Sequence, residues 1–186
     1  LPKPWVTDEH AYLLGADTFA RGRLTNSMPI ADPDTYEHFK EGHILTTPTR
    51  QSKYPPAQSM LLAVGQKLGA PWLGLPLAVG LFTVAVGWGL AGAVTAPHAI
   101  LGATLASLWI AVGSYWSHSY WGGLPGAIAG ALVFGAVARI GRGDPNLGTL
   151  GVVCGFGLSM LAMTRPYEGL AYALALGIAV IIATSQ

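Results

Sequence analysis

The sequence predicts an all-α integral membrane protein, with about five transmembrane helices preceded by an extracytoplasmic loop region that carries amphipathic interfacial helices. Three observations carry that prediction. Hydrophobic residues make up 52% of the 186 and charged residues only 10%, against about 25% charged in an ordinary soluble domain. Charge is also confined to one part of the chain: residues 1–67 hold seven Lys/Arg and seven Asp/Glu, and beyond Lys67 only Arg139, Arg142, Asp144, Arg165 and Glu168 are charged. From Pro71 onward, apolar stretches of near-spanning length follow one another between short links.

Residues 1–70 form a polar head. Thr7-Asp8-Glu9 predicts a helix start, because Thr7 can accept a hydrogen bond from the first-turn amides and the two acids complement the positive end of the dipole. Tyr12, Leu13, Leu14, Ala16, Phe19 and Ala20 then set an apolar face beside Asp8, Asp17 and Arg21, giving an amphipathic helix that lies against a membrane surface or a neighbouring helix. Gly22 ends it. Leu24 to Arg50, with Pro29, Pro33 and Pro48, reads as an ordered loop with at most short helical turns. After Pro55-Pro56, residues 57–68 read as a second helix; twelve residues rise roughly 18 Å, too short to cross a core of about 30 Å.

Residues 71–186 form the transmembrane bundle. The predicted spans are 71–94, 98–114, 121–138, 147–163 and 170–183. Arg139 and Arg142 lie in the link between the third and fourth spans, which the positive-inside rule assigns to the cytoplasmic side. Alternation then puts residues 1–70, the 115–120 link and Arg165 to Glu168 outside. Gly122, Gly126 and Gly130, at spacing four, are expected to let a helix backbone approach a neighbour closely. Gly87-Trp88-Gly89-Leu90-Ala91-Gly92 matches the form of a dinucleotide fingerprint, but it lies inside an apolar span with no preceding strand and carries no such function.

Four short stretches carry candidate chemistry. Asp8-Glu9 is either a general base or metal ligand, or an acid pair serving a helix N-terminus. Lys53, before Tyr54-Pro55-Pro56, is a cation in a segment stiffened by proline, suited either to a specific phosphate or to ordinary anionic headgroups. Tyr115-Trp116-Ser117-His118-Ser119-Tyr120-Trp121 reads as an interfacial aromatic belt, or as a sugar-binding or acceptor surface around His118. Arg165 and Glu168, three residues apart, are either functional rim charges or an exposed loop pair. Cys154, in an apolar run, reads as a small hydrophobe. His38 and His43, at spacing five, lack the further ligands a metal site needs. A net charge of +1 without a basic run gives no footprint for nucleic acid.

Taken together, Asp8-Glu9, Lys53-Tyr54-Pro55-Pro56, Tyr120-Trp121-Gly122-Gly123 and Arg165-Pro166-Tyr167-Glu168-Gly169 resemble bacterial members of the protein O-mannosyltransferase and aminoarabinose transferase superfamily. These are polyprenyl-phosphate-dependent glycosyltransferases of the GT-C class. The resemblance implies a multi-pass protein of the bacterial inner membrane with residues 1–70 extracytoplasmic, and a lipid-linked sugar as donor. It implies that Asp8, with Glu9 beside it, acts on the acceptor or positions a divalent cation, and that Lys53, with Tyr54, meets the carrier's phosphate. Arg165 is implied as a second phosphate or sugar contact, with Glu168 and His118 as further substrate-binding candidates.

The family pattern also includes a transmembrane helix before the acidic loop and more spans after the fifth, neither of which the 186 residues contain. The chain is therefore expected to be a piece of a longer transferase. The rival expectation, from another class, is a non-catalytic transmembrane subunit of a larger complex, such as a photosynthetic or respiratory one, bound to partner membrane subunits and membrane lipids.

Overall fold

A computed structural model describes residues 2–28 and 42–184, without the side chains of 179, 180 and 182–184. The chain forms two compact units: residues 1–77 with 115–122, and residues 78–114 with 123–186. The first unit includes the described residues of the 1–70 stretch and also the aromatic link 115–122.

In the first unit, helix α1 runs from Thr7 to Ala20. Its start differs from the expected one. Val6, in extended backbone, is the N-terminal boundary residue, and Thr7 makes no capping bond; the carboxylate of Glu9 instead reaches back to the amides of Trp5 and Val6. An acid in the third helical position makes this reciprocal half of a capping box without a hydroxyl partner. The helix stops at Arg21 and Gly22, whose φ of 70° suits a residue without a Cβ.

The apolar face of α1 meets a second helix, α2 (Ala57–Lys67). Tyr12 and Ala16, one turn apart, form a buried cluster with Leu62, Ala63, Leu75 and Tyr120, flanked by Phe19, Tyr54 and Trp72. The helix therefore buries its stripe against protein, the second of the two partners the sequence left open. Polar ties fix the register: Ser59 Oγ donates to Tyr12 O at 3.0 Å, and Gln58 Nε2 to Tyr120 O at 3.2 Å.

Residues 24–50 are not wholly irregular where described. Strands β1 (Ile44–Leu45) and β2 (Gln51–Ser52) pair antiparallel, with Ile44 opposite Ser52 and Leu45 opposite Gln51, and Asn26 forms a bridge to Arg50. Two-residue strands are too short to show an alternating pattern, which is why they read as loop. Pro29, Pro33 and His38 fall outside the described residues.

A short 3₁₀ turn, Pro71–Leu73, leads into helix α3 (Gly74–Ala91). There the backbones of Gly65 on α2 and Gly74 touch: a Cβ on Gly65 would fall on Gly74 N and lie 2.7 Å from Pro71 O. Gly65→Ala gains about 1 kcal/mol of helix propensity but forces backbone against backbone, where overpacking costs about 1–3 kcal/mol. The net expectation is a lowered unfolding temperature for the purified protein in detergent; an unchanged or raised one would show that the turn relaxes freely.

The second unit contains the rest of α3, then α4 (Ala96–Leu108) closed by a π-helical turn Trp109–Gly113, α5 (Leu124–Gly141), α6 (Leu147–Ala162) and α7 (Pro166–Thr184). Three segments are long and apolar enough to cross a membrane: Pro71–Ala91, Ala96–Gly113 and Leu124–Gly141. Helix α6 is apolar but has 16 residues, and α7 starts four residues before the predicted fifth span because Pro166 suits a first helical turn. Large apolar side chains such as Val84, Ile100, Leu105, Trp109 and Val112 on these segments are exposed, which fits helices able to lie in hydrocarbon.

Close packing in this unit uses glycines other than the predicted ones. A Cβ on Gly126 or Gly130 would meet only ordinary contacts, 3.6 and 3.9 Å away, and Gly122 precedes the helix and lies against Tyr12 in the first unit. The tight approaches include Gly89 on Ala131 O and Gly135 on Trp88 between α3 and α5, and Gly157 on Val133 between α5 and α6. Spacing alone does not say which face a neighbour occupies. Cys154 is half-buried against the cluster formed by Ala129, Val133 and Leu161, as a small hydrophobe.

Arg139 and Arg142 also take on a structural task. Arg139 lies 4.1 Å from the Trp88 ring and donates to Gly135 O and Trp88 O, at 2.9 and 2.8 Å, while Arg142 donates to Ala93 O. The Trp88 carbonyl belongs to the last turn of α3 and Ala93 follows that helix, where the helical ladder leaves acceptors without partners, while Gly135 lies one turn before Arg139 on α5 itself.

Candidate functional site

The polar chemistry of the first unit is organised by the start of α1. Asp8 and Glu9 are adjacent on a helix, so their side chains diverge by about 100° and enter different surroundings. Glu9 points inward and is 2% exposed. Its Oε2 accepts from Trp5 N at 2.6 Å and more weakly from Val6 N, and its Oε1 accepts from Tyr120 N at 2.8 Å. A buried carboxylate survives only when such donors replace its water. Glu9 thereby joins the start of α1 to the 115–122 segment. Tyr120 is buried beside it and donates its hydroxyl to Pro2 O; burial, then the Glu9 charge, pushes its phenol above the usual range.

Asp8 takes the opposite role. Its side chain is partly exposed, and its Oδ1 lies 3.3 Å from Nε2 of His43. His43 immediately precedes β1, and the ladder extends one step past the paired strands, with Lys53 N donating to His43 O at 3.0 Å. The same register brings up Tyr54, whose hydroxyl lies 2.7 Å from His43 Nδ1. The Tyr54 ring stacks on Tyr12 at 4.8 Å and lies near-parallel to His43 at 5.6 Å. Burial first, then the neighbouring Asp8 carboxylate, hold the Tyr54 phenol well above the usual range. The result is a compact group, Asp8, His43 and Tyr54, on a floor formed by Tyr12.

The other predicted residues are distributed as follows. The Lys53 side chain is exposed, next in sequence to Tyr54 and with its backbone held by the ladder. His118 is exposed in the same unit, its Nδ1 2.8 Å from Ser117 Oγ. Around it the aromatic run divides: Tyr120 is buried, while Tyr115 and Trp121, rings 5.5 Å apart, are exposed. Arg165 and Glu168 belong to the second unit, where they pair with each other at 3.0 Å and remain about half-exposed.

Among the described residues no three His, Cys, Asp or Glu side chains converge where a metal ion could be held. Asp8 has one imidazole beside it, and that imidazole's second nitrogen is engaged by Tyr54. The residue that sequence reasoning set aside is His43. Its place beside Asp8 follows from strand pairing, which two-residue strands do not announce. No family model, curated protein or solved structure matches the chain.

Proposed function

We propose that this chain forms part of a membrane glycosyltransferase of the GT-C type, moving a sugar from a polyprenyl-phosphate carrier to an acceptor hydroxyl on the extracytoplasmic side of the bacterial inner membrane. The observation that carries the reading is the division of labour in the acid pair. Glu9 is committed to backbone amides, whereas Asp8 keeps a partly exposed carboxylate, held beside His43 and Tyr54 in a polar unit next in sequence to membrane-crossing helices.

In this mechanism the acceptor hydroxyl attacks the anomeric carbon as the bond from that carbon to the phosphate oxygen breaks. Asp8 takes the acceptor's proton. The carrier phosphate leaves with the bonding electron pair, and the exposed ammonium of Lys53 offsets the charge that develops on it. Lys53 is a stronger phosphate candidate than Arg165, which already has Glu168 as a partner. Among the described residues no three His, Cys, Asp or Glu side chains converge to hold a divalent cation, so no step is routed through one. The reading includes five membrane spans, α6 and α7 being the fourth and fifth, with residues 1–70 outside and the α5–α6 link cytoplasmic.

The test uses the full chain in lipid nanodiscs containing undecaprenyl-phosphate-linked hexose, pentose or N-acetylhexosamine, with water standing in for the native acceptor. Release of undecaprenyl phosphate from one donor class, reduced about tenfold or more in Lys53→Ala, is expected. Failure to consume any donor, together with failure to bind undecaprenyl phosphate, would overturn the reading in favour of a non-catalytic membrane subunit.

A further inference from the structure

We infer that His43 is a positioning residue for Asp8: Tyr54 donates its hydroxyl proton to His43 Nδ1, and His43 donates its Nε2–H to Asp8 Oδ1, so that the carboxylate is held in one orientation with Oδ2 left for the acceptor. The inference rests on the transferase reading for its catalytic consequence, but its structural content is independent of it.

Distances place the three groups in a chain, 2.7 Å from Tyr54 to His43 and 3.3 Å from His43 to Asp8. The direction of the chain follows from proton bookkeeping. An ionised carboxylate only accepts, so the imidazole nitrogen facing it must carry a hydrogen. A neutral imidazole has one N–H, which leaves Nδ1 as an acceptor, and the hydroxyl of Tyr54 is the donor that meets it. Tyr54 is suited to keep that proton, because its burial and the neighbouring Asp8 charge both disfavour the phenolate. This also argues against Tyr54 as a nucleophile activated by a His–Asp pair, for which the phenol would have to lose its proton more easily. The imidazole is also held by its near-parallel contact with the Tyr54 ring, and the His43 backbone that carries it is tied by the bond from Lys53 N.

Holding a base in one orientation is worth rate rather than affinity, since a misplacement of about 1 Å can cost on the order of a hundredfold. His43→Ala is therefore expected to lower kcat for donor turnover by about tenfold to a hundredfold with KM little changed. His43→Gln, which can place an amide N–H near the lost Nε2–H, should recover part of that loss. Equal kcat in wild type and His43→Ala, in a protein whose turnover requires Asp8, would overturn the assignment while leaving the transferase reading intact.

A second measurement needs no turnover. In nitrogen-15-labelled protein in nanodiscs, with the His43 signal identified by its absence in His43→Gln, the ring is expected as the single Nε2–H tautomer. Tyr54→Phe should convert it to a mixture of tautomers. A wild-type ring in the Nδ1–H form, or one indifferent to Tyr54→Phe, would overturn the relay whether or not any sugar donor is consumed.

Discussion

Glu9→Ala is expected to destabilise the first unit by about 2–4 kcal/mol, because it removes an acceptor that no other group can replace. Of the three amides that Glu9 holds, those of Trp5 and Val6 belong to exposed residues and can return to water. That of Tyr120 belongs to a residue 6% exposed. Most of the cost therefore comes from one stranded N–H and from release of the 115–122 segment that the bond secures. Glu9→Gln should fall between wild type and Ala, since its amide keeps one acceptor oxygen but turns a donor group toward donors. Hydrogen exchange resolved at Tyr120 is the direct measurement: its amide should lose most of its protection in Glu9→Ala. Retained protection would mean that other contacts hold the segment, and that Glu9 is available for another role.

Asp8→Asn, one residue earlier, is expected to do the reverse. Asn keeps an oxygen to accept from His43 and nearly the same shape, so thermal unfolding should shift little. Turnover of the polyprenyl-phosphate donor should nevertheless fall about 10²–10⁴-fold, the usual worth of a positioned general base. An Asp8→Asn protein with wild-type turnover would remove Asp8 from the mechanism. The contrast between the two variants is itself diagnostic: adjacent carboxylates, one whose loss is read in stability and one whose loss is read in rate. If both lost activity only in proportion to lost folded protein, neither would be catalytic.

Much of the fold was legible because helices fit for a membrane are written in composition and length, and the observed helices Pro71–Ala91, Ala96–Gly113, Leu124–Gly141 and Leu147–Ala162 begin and end within about three residues of the predicted 71–94, 98–114, 121–138 and 147–163. The second helix of the head was legible for the same kind of reason, since Pro55-Pro56 can begin a helix but not sit inside one. The candidate site was legible only in part. Asp8 and Glu9 were visible as a pair, yet nothing in two neighbouring acids says which will be buried; that depends on where Tyr120, 111 residues later, presents its amide. The same applies to the glycines. Gly126 and Gly130 have the expected spacing, but the neighbouring backbone meets Gly89, Gly135 and Gly157.

By itself, then, the sequence determined that this is a mostly helical chain with a polar head and helices fit for a membrane, because solvent preference is a property of each residue and sums along the chain. What only the tertiary structure decided is which polar residues meet. The pairing of β1 with β2 set His43 against Asp8 and Tyr54, and the buried face of α1 separated Glu9 from Asp8. Such meetings depend on strand register and helix rotation, where one residue of offset changes every partner.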